Sequence, residues 1–229
     1  MEQEKQEAAR RSLAFVKDGH IVGLGTGSTA SYAIRLLGER VREGLKIVGI
    51  PTSVQSHDLA ARLGIPLTSF EEHPWIDVTI DGADEINPAL DLIKGGGGAL
   101  LREKIVASAS RTVVIIADST KQVQVLGKFP LPVEVIPFAE TLLIRRIAAL
   151  GASVEPRTDR AGQPFVTDEG HHILDCSFGS IPDPHRLAGE LDRMPGVVEH
   201  GLFIGLADIS LIGKDVEVRR AKLSNQPDQ

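Results

Sequence analysis

The chain has 229 residues, a net charge of −6 at pH 7, 4% aromatic residues and a single cysteine. A negative chain with few aromatic residues is a poor candidate for a nucleic-acid-binding protein, which usually presents a basic surface and aromatic stacking platforms. The lone Cys176 excludes an internal disulfide framework and is typical of a reducing compartment. No apolar run approaches the roughly 18 residues of a membrane span, and the N-terminal sequence lacks the apolar stretch of a secretory signal. We therefore expect a cytoplasmic protein that binds neither nucleic acid nor membrane.

The first half of the chain alternates helical periodicity with short β-rich runs. Strands are predicted at 21–24, 46–50, 76–80, 89–93 and 112–117, and helices at 8–16, 28–39, 56–63 and 99–109. The β-branched run at 112–117 is typical of a strand buried on both faces of a parallel sheet. Strands separated by helices predict right-handed βαβ units, and hence an α/β fold with a Rossmann-like, open, mostly parallel sheet.

The composition changes where three prolines occur between residues 130 and 137. The pattern that follows predicts the order strand, helix, strand, strand, helix, strand, which is typical of a small ferredoxin-like α+β sheet with both helices on one face. We therefore predict a Rossmann-like catalytic domain formed by 1–127 plus 201–229. A second, smaller domain at 128–200 would act as a lid or in oligomerisation. The last five residues are expected to fray.

Polar and glycine-rich segments follow the predicted strands. The carboxyl ends of parallel strands meet at one edge of the sheet, where ligands bind in open α/β folds. The segments after successive strands are 25–29, 51–53, 81–85, 94–98 and 118–121. Hydroxyls, carboxylates, lysines and glycines are thereby predicted to converge on one edge, and this convergence is stronger evidence for a site than any single motif.

The glycine-rich segment at 25–29, with sequence GTGST, opens a predicted helix. Unpaired N–H groups and the helix dipole favour an anion such as phosphate at that position. The segment also satisfies the dinucleotide fingerprint G-x-G-x-x-A, but the acidic residue expected about 20 residues on is replaced by the sequence PTS at 51–53. A nicotinamide-dependent oxidoreductase is therefore disfavoured. A strand-to-helix turn that needs glycine only for its geometry stays open as an alternative.

Two acidic residues and a lysine are further candidates for chemistry. Asp81 and Asp84 flank Gly82 and could bind sugar hydroxyls, shuttle protons or hold a divalent metal, although the same pattern occurs in solvated turns. Lys94 precedes four glycines, which indicates a cation beside a backbone anion-binding loop. Together with Lys121 and the helix N-terminus at 28, Lys94 is predicted to form a local positive site in a chain of negative net charge.

Glu103 is the candidate for a general base. It lies one turn into the helix predicted at 99–109, on a face of small residues where burial would raise its pKa toward the working range of a base. The alternative is a half-exposed glutamate that pairs with Arg102 or Lys104 at the surface. The helical pattern does not decide between these two interpretations.

Taken together, these motifs resemble the type A ribose-5-phosphate isomerase family. The matching segments occur in family order at 23–30, 81–85, 94–104, 129–137 and 197–203. The resemblance implies cofactor-free interconversion of D-ribose 5-phosphate and D-ribulose 5-phosphate through a cis-enediol, in the pentose phosphate pathway, by a homodimer or homotetramer. No credible cluster of metal ligands occurs in the sequence, so we expect no metal either. Two departures from the family pattern, Phe138 in place of Met and an altered Asn-rich turn at 167–172, lie in the second domain and bear on its packing or assembly.

The resemblance also implies roles for individual residues. Glu103 would be the proton acceptor, while Lys94, with Asp81 and Asp84, would stabilise the enediolate and assist ring opening. The substrate-binding residues would be Thr26, Gly27, Ser28, Thr29, Asp81, Gly82, Ala83, Asp84, Lys94, Gly95, Gly96, Gly97, Lys121 and Lys5. A non-catalytic sugar-phosphate-binding effector module stays open as the alternative function, although no helix-turn-helix is attached to this chain.

Overall fold

The computed structural model describes residues 1–213 and 216–219, so the tail predicted to fray lies outside the described residues. The helices are α1 (Glu2–Ser12), α2 (Ser28–Arg42), α3 (Val54–Arg62), α4 (Leu100–Ser108), α5 (Glu140–Ala148) and α6 (Pro184–Asp192). The strands are β1 (Ile21–Leu24), β2 (Val48–Pro51), β3 (Val78–Asp81), β4 (Glu85–Ile86), β5 (Leu92–Ile93), β6 (Val113–Ala117), β7 (Leu131–Val135), β8 (Ser153–Pro156), β9 (His172–Ser177), β10 (Val197–His200), β11 (Leu202–Phe203), β12 (Ile209–Ile212) and β13 (Val216–Arg219). Among the described helices, none has the length and apolar character needed to cross a membrane.

A six-stranded sheet with the order β13-β12-β6-β3-β1-β2 forms the centre of the fold. All neighbouring strands are parallel except β12 and β13. Apolar residues of α1 and α2 pack on one face of this sheet, and Val106 and Ala107 of α4 pack on the other. Every residue of β6 is buried, as expected for a strand covered on both faces. The predicted α/β class with a mostly parallel central sheet is confirmed.

A four-stranded antiparallel sheet has the order β10-β7-β9-β8. With α5 after β7 and α6 after β9, its chain order is the β-α-β-β-α-β order read from the sequence. Leu143 of α5 and Leu191 of α6 belong to one apolar cluster with Leu131 and Val133 of β7, so both helices cover the same face. The division into two domains stays a prediction, which the separation of these strands into different sheets supports.

A third, three-stranded sheet with the order β11-β5-β4 was not expected. The run at 89–93 was predicted as a strand of the main sheet, but only its last two residues form a strand. Leu90 has φ +61° and lies in a turn in which the Asp91 amide donates to the Asn87 side chain. Lys94 follows β5, and its amide donates to the Gly201 carbonyl at 2.9 Å. The backbone of Lys94 is therefore bound to Gly201, which lies between β10 of the four-stranded sheet and β11 of the three-stranded sheet.

Candidate functional site

A cavity of about 140 Å³ lies at the carboxyl ends of β1, β3 and β6, next to the end of β5. The residues that line it are Lys5, Thr26, Gly27, Ser28, Thr29, Gly82, Ala83, Asp84, Lys94, Gly95, Gly96, Gly97, Glu103 and Lys121. The structure thus brings together all the residues that were predicted for the site except Asp81. Asp81 is buried behind Lys94 and does not line the cavity.

Asp81, Lys94 and Glu103 form a buried triad of charged side chains, of which Lys94 and Glu103 line the cavity. The Lys94 Nζ lies 3.0 Å from Asp81 Oδ2 and 3.1 Å from Glu103 Oε1, and it donates to the Gly82 carbonyl at 2.7 Å. None of the three side chains is more than 6% exposed. The second oxygen of Glu103, Oε2, is buried and has no hydrogen-bond partner among the described residues.

The surface pairing considered for Glu103 does not occur. Arg102 binds Glu169 on the loop before β9, with Nε 2.6 Å from Oε1. Lys104 binds Glu199 of β10, with Nζ 2.5 Å from Oε1. Both neighbours of Glu103 therefore form ion pairs with other residues, and these pairs connect α4 to β10 and to the loop before β9.

Burial sets the protonation of this triad. Burial raises the pKa of Glu103 to about 8, against the opposing effect of the Lys94 charge. Burial likewise raises the pKa of Asp81, and again Lys94 opposes it. Burial alone would lower the pKa of Lys94, but the carboxylates of Asp81 and Glu103 hold it above its ordinary value, so Lys94 stays charged. Glu103 can therefore gain and lose a proton near neutral pH, which general acid–base catalysis requires.

Asp81 connects this triad to the glycine-rich loop after β1. Its Oδ1 accepts hydrogen bonds from the Thr26 amide at 3.1 Å and the Gly82 amide at 2.7 Å. A Cβ at position 25 would lie 2.2 Å from the same oxygen, so Gly25 is required for this close approach. Asp81 thereby supports both the Lys94 ammonium and the loop.

The N-terminus of α2, Lys5 and Lys121 line the same cavity and form a candidate anion site. Helix α2 begins at Ser28, and the first N–H groups of a helix have no partner within it. Lys5 Nζ donates to Ser28 Oγ at 3.1 Å, and Lys121 lines the cavity from the 3-10 helix after β6. The positive site predicted from Lys94, Lys121 and the helix N-terminus also contains Lys5, whereas Lys94 is paired with Asp81 and Glu103.

Metal binding is poorly supported by the arrangement of the carboxylates. In the cavity, Asp81 and Glu103 share the Lys94 ammonium, which a divalent ion would have to displace. Within the described residues, one group with metal-binding spacing consists of Asp192, Glu199 and His200, outside the cavity. The Lys104 ammonium already lies against this group, 2.6 Å from the His200 carbonyl.

One residue that contacts the site was missed in the sequence. Arg157, directly after β8, donates from Nη1 to the Gly95 carbonyl at 2.8 Å. An isolated arginine at the end of an edge strand carries no motif, and it lies 62 residues along the chain from the glycine. Only the packing of the two sheets brings the two together.

Known proteins have sequences similar to this chain over most of its length. Residues 48–217 match the family described as ribose 5-phosphate isomerase A (phosphoriboisomerase A). The chain is 54% identical over 218 residues to ribose-5-phosphate isomerase A of Parvibaculum lavamentivorans, which covers 93% of this chain and 94% of that protein. It is 57% identical over 211 residues to the protein of the same name from Gluconobacter oxydans, which covers 91% of each.

Solved structures are also similar over nearly the whole chain. Ribose 5-phosphate isomerase A from Methanocaldococcus jannaschii superposes with a TM-score of 0.91 at 42% identity, covering 95% of this chain and 99% of that one. A D-ribose-5-phosphate isomerase in complex with phospho-erythronic acid superposes with a TM-score of 0.92 at 41% identity, covering 96% and 99%. The family resemblance read from the sequence motifs is confirmed, and the chain belongs to the ribose 5-phosphate isomerase A family.

Proposed function

We propose that this protein interconverts D-ribose 5-phosphate and D-ribulose 5-phosphate, with Glu103 as the base that transfers the carbon-bound proton. The observation that carries the proposal is the state of the Glu103 carboxylate. One oxygen is held by Lys94 at 3.1 Å, while the other is buried without a partner among the described residues. A carboxylate held in this way is oriented and still has one oxygen for a substrate proton.

The proposed reaction moves one proton between two carbons. In the open-chain aldose, Glu103 removes the proton on C2, the C1–C2 double bond forms, and the C1 carbonyl oxygen gains negative charge. Lys94 would stabilise this enediolate oxygen as the charge develops. The hydroxyl proton passes from O2 to O1, and Glu103 returns its proton to C1, which leaves the ketone at C2. Asp84, which lines the cavity, would contact sugar hydroxyls and assist ring opening.

The anion site would hold the phosphate away from the reacting carbons. Phosphate bound by Lys5, Lys121 and the N-terminus of α2 supplies binding energy that orients the sugar at Glu103. The name of one solved relative, a D-ribose-5-phosphate isomerase in complex with phospho-erythronic acid, supports a site for a phosphorylated polyhydroxy chain.

A coupled assay for ribulose 5-phosphate formation tests the function directly. We expect turnover by the purified chain without added cofactor, and unchanged turnover after dialysis against EDTA. Binding of ribose 5-phosphate without turnover would instead support the effector-module alternative. A loss of activity that only a divalent ion restores would contradict the metal-independent mechanism.

Inorganic phosphate is expected to inhibit competitively. In Lys121→Ala, the inhibition constant for phosphate should rise by roughly fivefold, because a partly exposed charge contact contributes up to about 1 kcal/mol. Initial-rate kinetics at several phosphate concentrations measure this constant. The control is Lys128→Ala, since Lys128 is exposed and outside the cavity. Non-competitive inhibition, or equal constants in both variants, would place the phosphate elsewhere.

The pH dependence of kcat/KM follows from the Glu103 pKa. Glu103 acts as a base only when ionised, and burial raises its pKa to about 8, so kcat/KM should fall as the pH is lowered below that value. The profile of kcat/KM reports the free enzyme, in which this pKa applies. A pH series from 5 to 9.5 measures it. An acid limb at the ordinary glutamate value of 4.5 would contradict the assignment.

We also propose a cytoplasmic location and assembly into a homodimer or homotetramer. The single cysteine, Cys176, is buried and unpaired, as expected in a reducing compartment. Two apolar side chains near one another in sequence, Phe138 and Leu142, are 98% and 49% exposed, which favours burial against a second copy. Sedimentation velocity tests the assembly, and a monomer at micromolar concentration would contradict it.

A further inference from the structure

One peptide in the wall of the cavity is held from both sides. The carbonyl of Gly95 accepts a hydrogen bond from Arg157 Nη1 at 2.8 Å, and the amide of Gly96 donates to Asp84 Oδ2 at 2.7 Å. These two groups belong to the same peptide unit, in which C=O and N–H point in opposite directions. Arg157 and Asp84 therefore bind opposite edges of one peptide plane.

This peptide has little intrinsic rigidity. Gly95 has φ +100°, and neither flanking residue has a Cβ to restrict rotation. A side chain at position 96 is not tolerated, because a Cβ there would lie 2.6 Å from Asp84 Oδ1. Within the loop, the Gly98 amide donates to the Gly95 carbonyl at 2.9 Å, and further restraint on this peptide must come from outside the loop.

Arg157 is well suited to provide that contact. Its guanidinium binds Asp175 of β9 through two bonds, Nε to Oδ2 at 2.9 Å and Nη2 to Oδ1 at 2.5 Å. Its own amide donates to the Ile173 carbonyl at 2.8 Å, and its side chain is only 12% exposed. A forked arginine–carboxylate pair is geometrically specific, so Nη1 projects from a fixed position on the four-stranded sheet. The same Nη1 lies 3.3 Å from the Gly96 carbonyl.

We propose that Arg157 is a positioning residue of the isomerase site, which fixes the Asp84 carboxylate through the Gly95–Gly96 peptide. This inference rests on the proposed function and extends it, because it gives the four-stranded sheet a part in catalysis. Without Arg157, the Gly95 carbonyl keeps only its bond from the Gly98 amide. The peptide between the two glycines then rotates more freely, and the Gly96 N–H orients Asp84 less well toward the sugar.

Steady-state kinetics of Arg157→Met, Arg157→Lys and the control Arg160→Met form the first test. Arg160 is exposed on the same segment and outside the cavity. We expect kcat/KM to fall by roughly 10–100-fold in Arg157→Met, the loss typical of a displaced site group. Arg157→Lys should recover part of this loss, and Arg160→Met should match the wild type. Equal activity of Arg157→Met and Arg160→Met would overturn the proposal.

A double-mutant cycle with Asp84→Asn separates positioning from general loss of structure. If Arg157 acts through Asp84, kcat/KM of the double variant should be about equal to that of the less active single variant. The effects of two coupled substitutions are not additive. If the two losses multiply, Arg157 acts independently of Asp84 and the proposal fails. An inactive wild-type chain would instead refute the proposed function.

Amide hydrogen exchange at Gly96 gives a readout that does not depend on activity. Exchange should be faster in Arg157→Met than in Arg160→Met, because the Gly95 carbonyl loses one of its two hydrogen bonds. Should Arg157→Met fail to fold, Asp175→Asn keeps the arginine while weakening its fork. That variant should show faster Gly96 exchange and a smaller loss of kcat/KM, and unchanged values of both would overturn the proposal.

Discussion

Replacing Glu103 by glutamine is expected to lower kcat by roughly 10²–10⁴-fold, the usual contribution of general acid–base catalysis. Glutamine keeps the size and hydrogen-bonding reach of glutamate, so KM should stay within a few-fold. Exchange of solvent deuterium into the substrate carbon should fall in parallel, because it requires the same carboxylate. Both rates can be followed by NMR on one sample.

The effect of Glu103→Gln on thermal stability depends on pH. The folded-state pKa of Glu103 is raised from 4.5 to about 8. The stability that its protonated carboxyl contributes is therefore fully present below pH 4.5 and is lost as the pH rises through 8. Glutamine carries no charge to bury, so Glu103→Gln should unfold at no lower temperature than the wild type at pH 9.

The exposed Glu71 provides the matched control, since Glu71→Gln makes the same chemical change outside the cavity. It should leave kcat unchanged. If Glu103→Gln keeps more than about a tenth of wild-type kcat, the loss is smaller than a general base contributes. The base would then be another group. Asp84 would then be the next candidate because it lines the cavity, whereas both oxygens of Asp81 are already bound.

Replacing Lys94 by methionine is expected to damage both the reaction and the fold. Loss of the cation that we propose to stabilise the enediolate oxygen should lower kcat by roughly 10²–10³-fold. It also leaves Asp81 and Glu103 buried without their shared counter-ion, and breaking a buried ion pair typically costs about 3–5 kcal/mol of unfolding free energy. Urea unfolding measures that cost, and Lys128→Met serves as the exposed control.

A second substitution tests the effect of Lys94 on stability. In Lys94→Met with Glu103→Gln, one unpaired carboxylate is removed, so stability should partly recover while activity stays low. Activity stays low in any case because the proposed base is absent, so recovery of activity in this double variant would contradict the role of Glu103. An unfolding free energy within about 1 kcal/mol of the control would mean that the triad contributes no more than an exposed pair.

The secondary structure and the convergence of the site followed from local patterns. Strands β1 and β6 and helix α2 begin and end within a few residues of their predicted bounds, because apolar periodicity and glycine positions are properties of short segments. The rule that ligands bind at the carboxyl ends of parallel strands placed the loops after β1, β3 and β6 together. The run at 89–93 failed as a strand of the main sheet because its last two residues pair instead with β4 and with β11, which lies more than a hundred residues away.

The sequence by itself determined the α/β class, the family motifs and the list of residues that line the cavity. The tertiary structure alone decided which charges meet. A helical pattern shows which face of α4 carries Glu103 but not what packs on that face, so the choice between a buried base and a surface pair with Arg102 or Lys104 was open. The structure pairs Glu103 with Lys94. Such partners are set by the packing of separate sheets, since burial makes an unpaired charge costly and only the assembled core shows which opposite charge lies within reach.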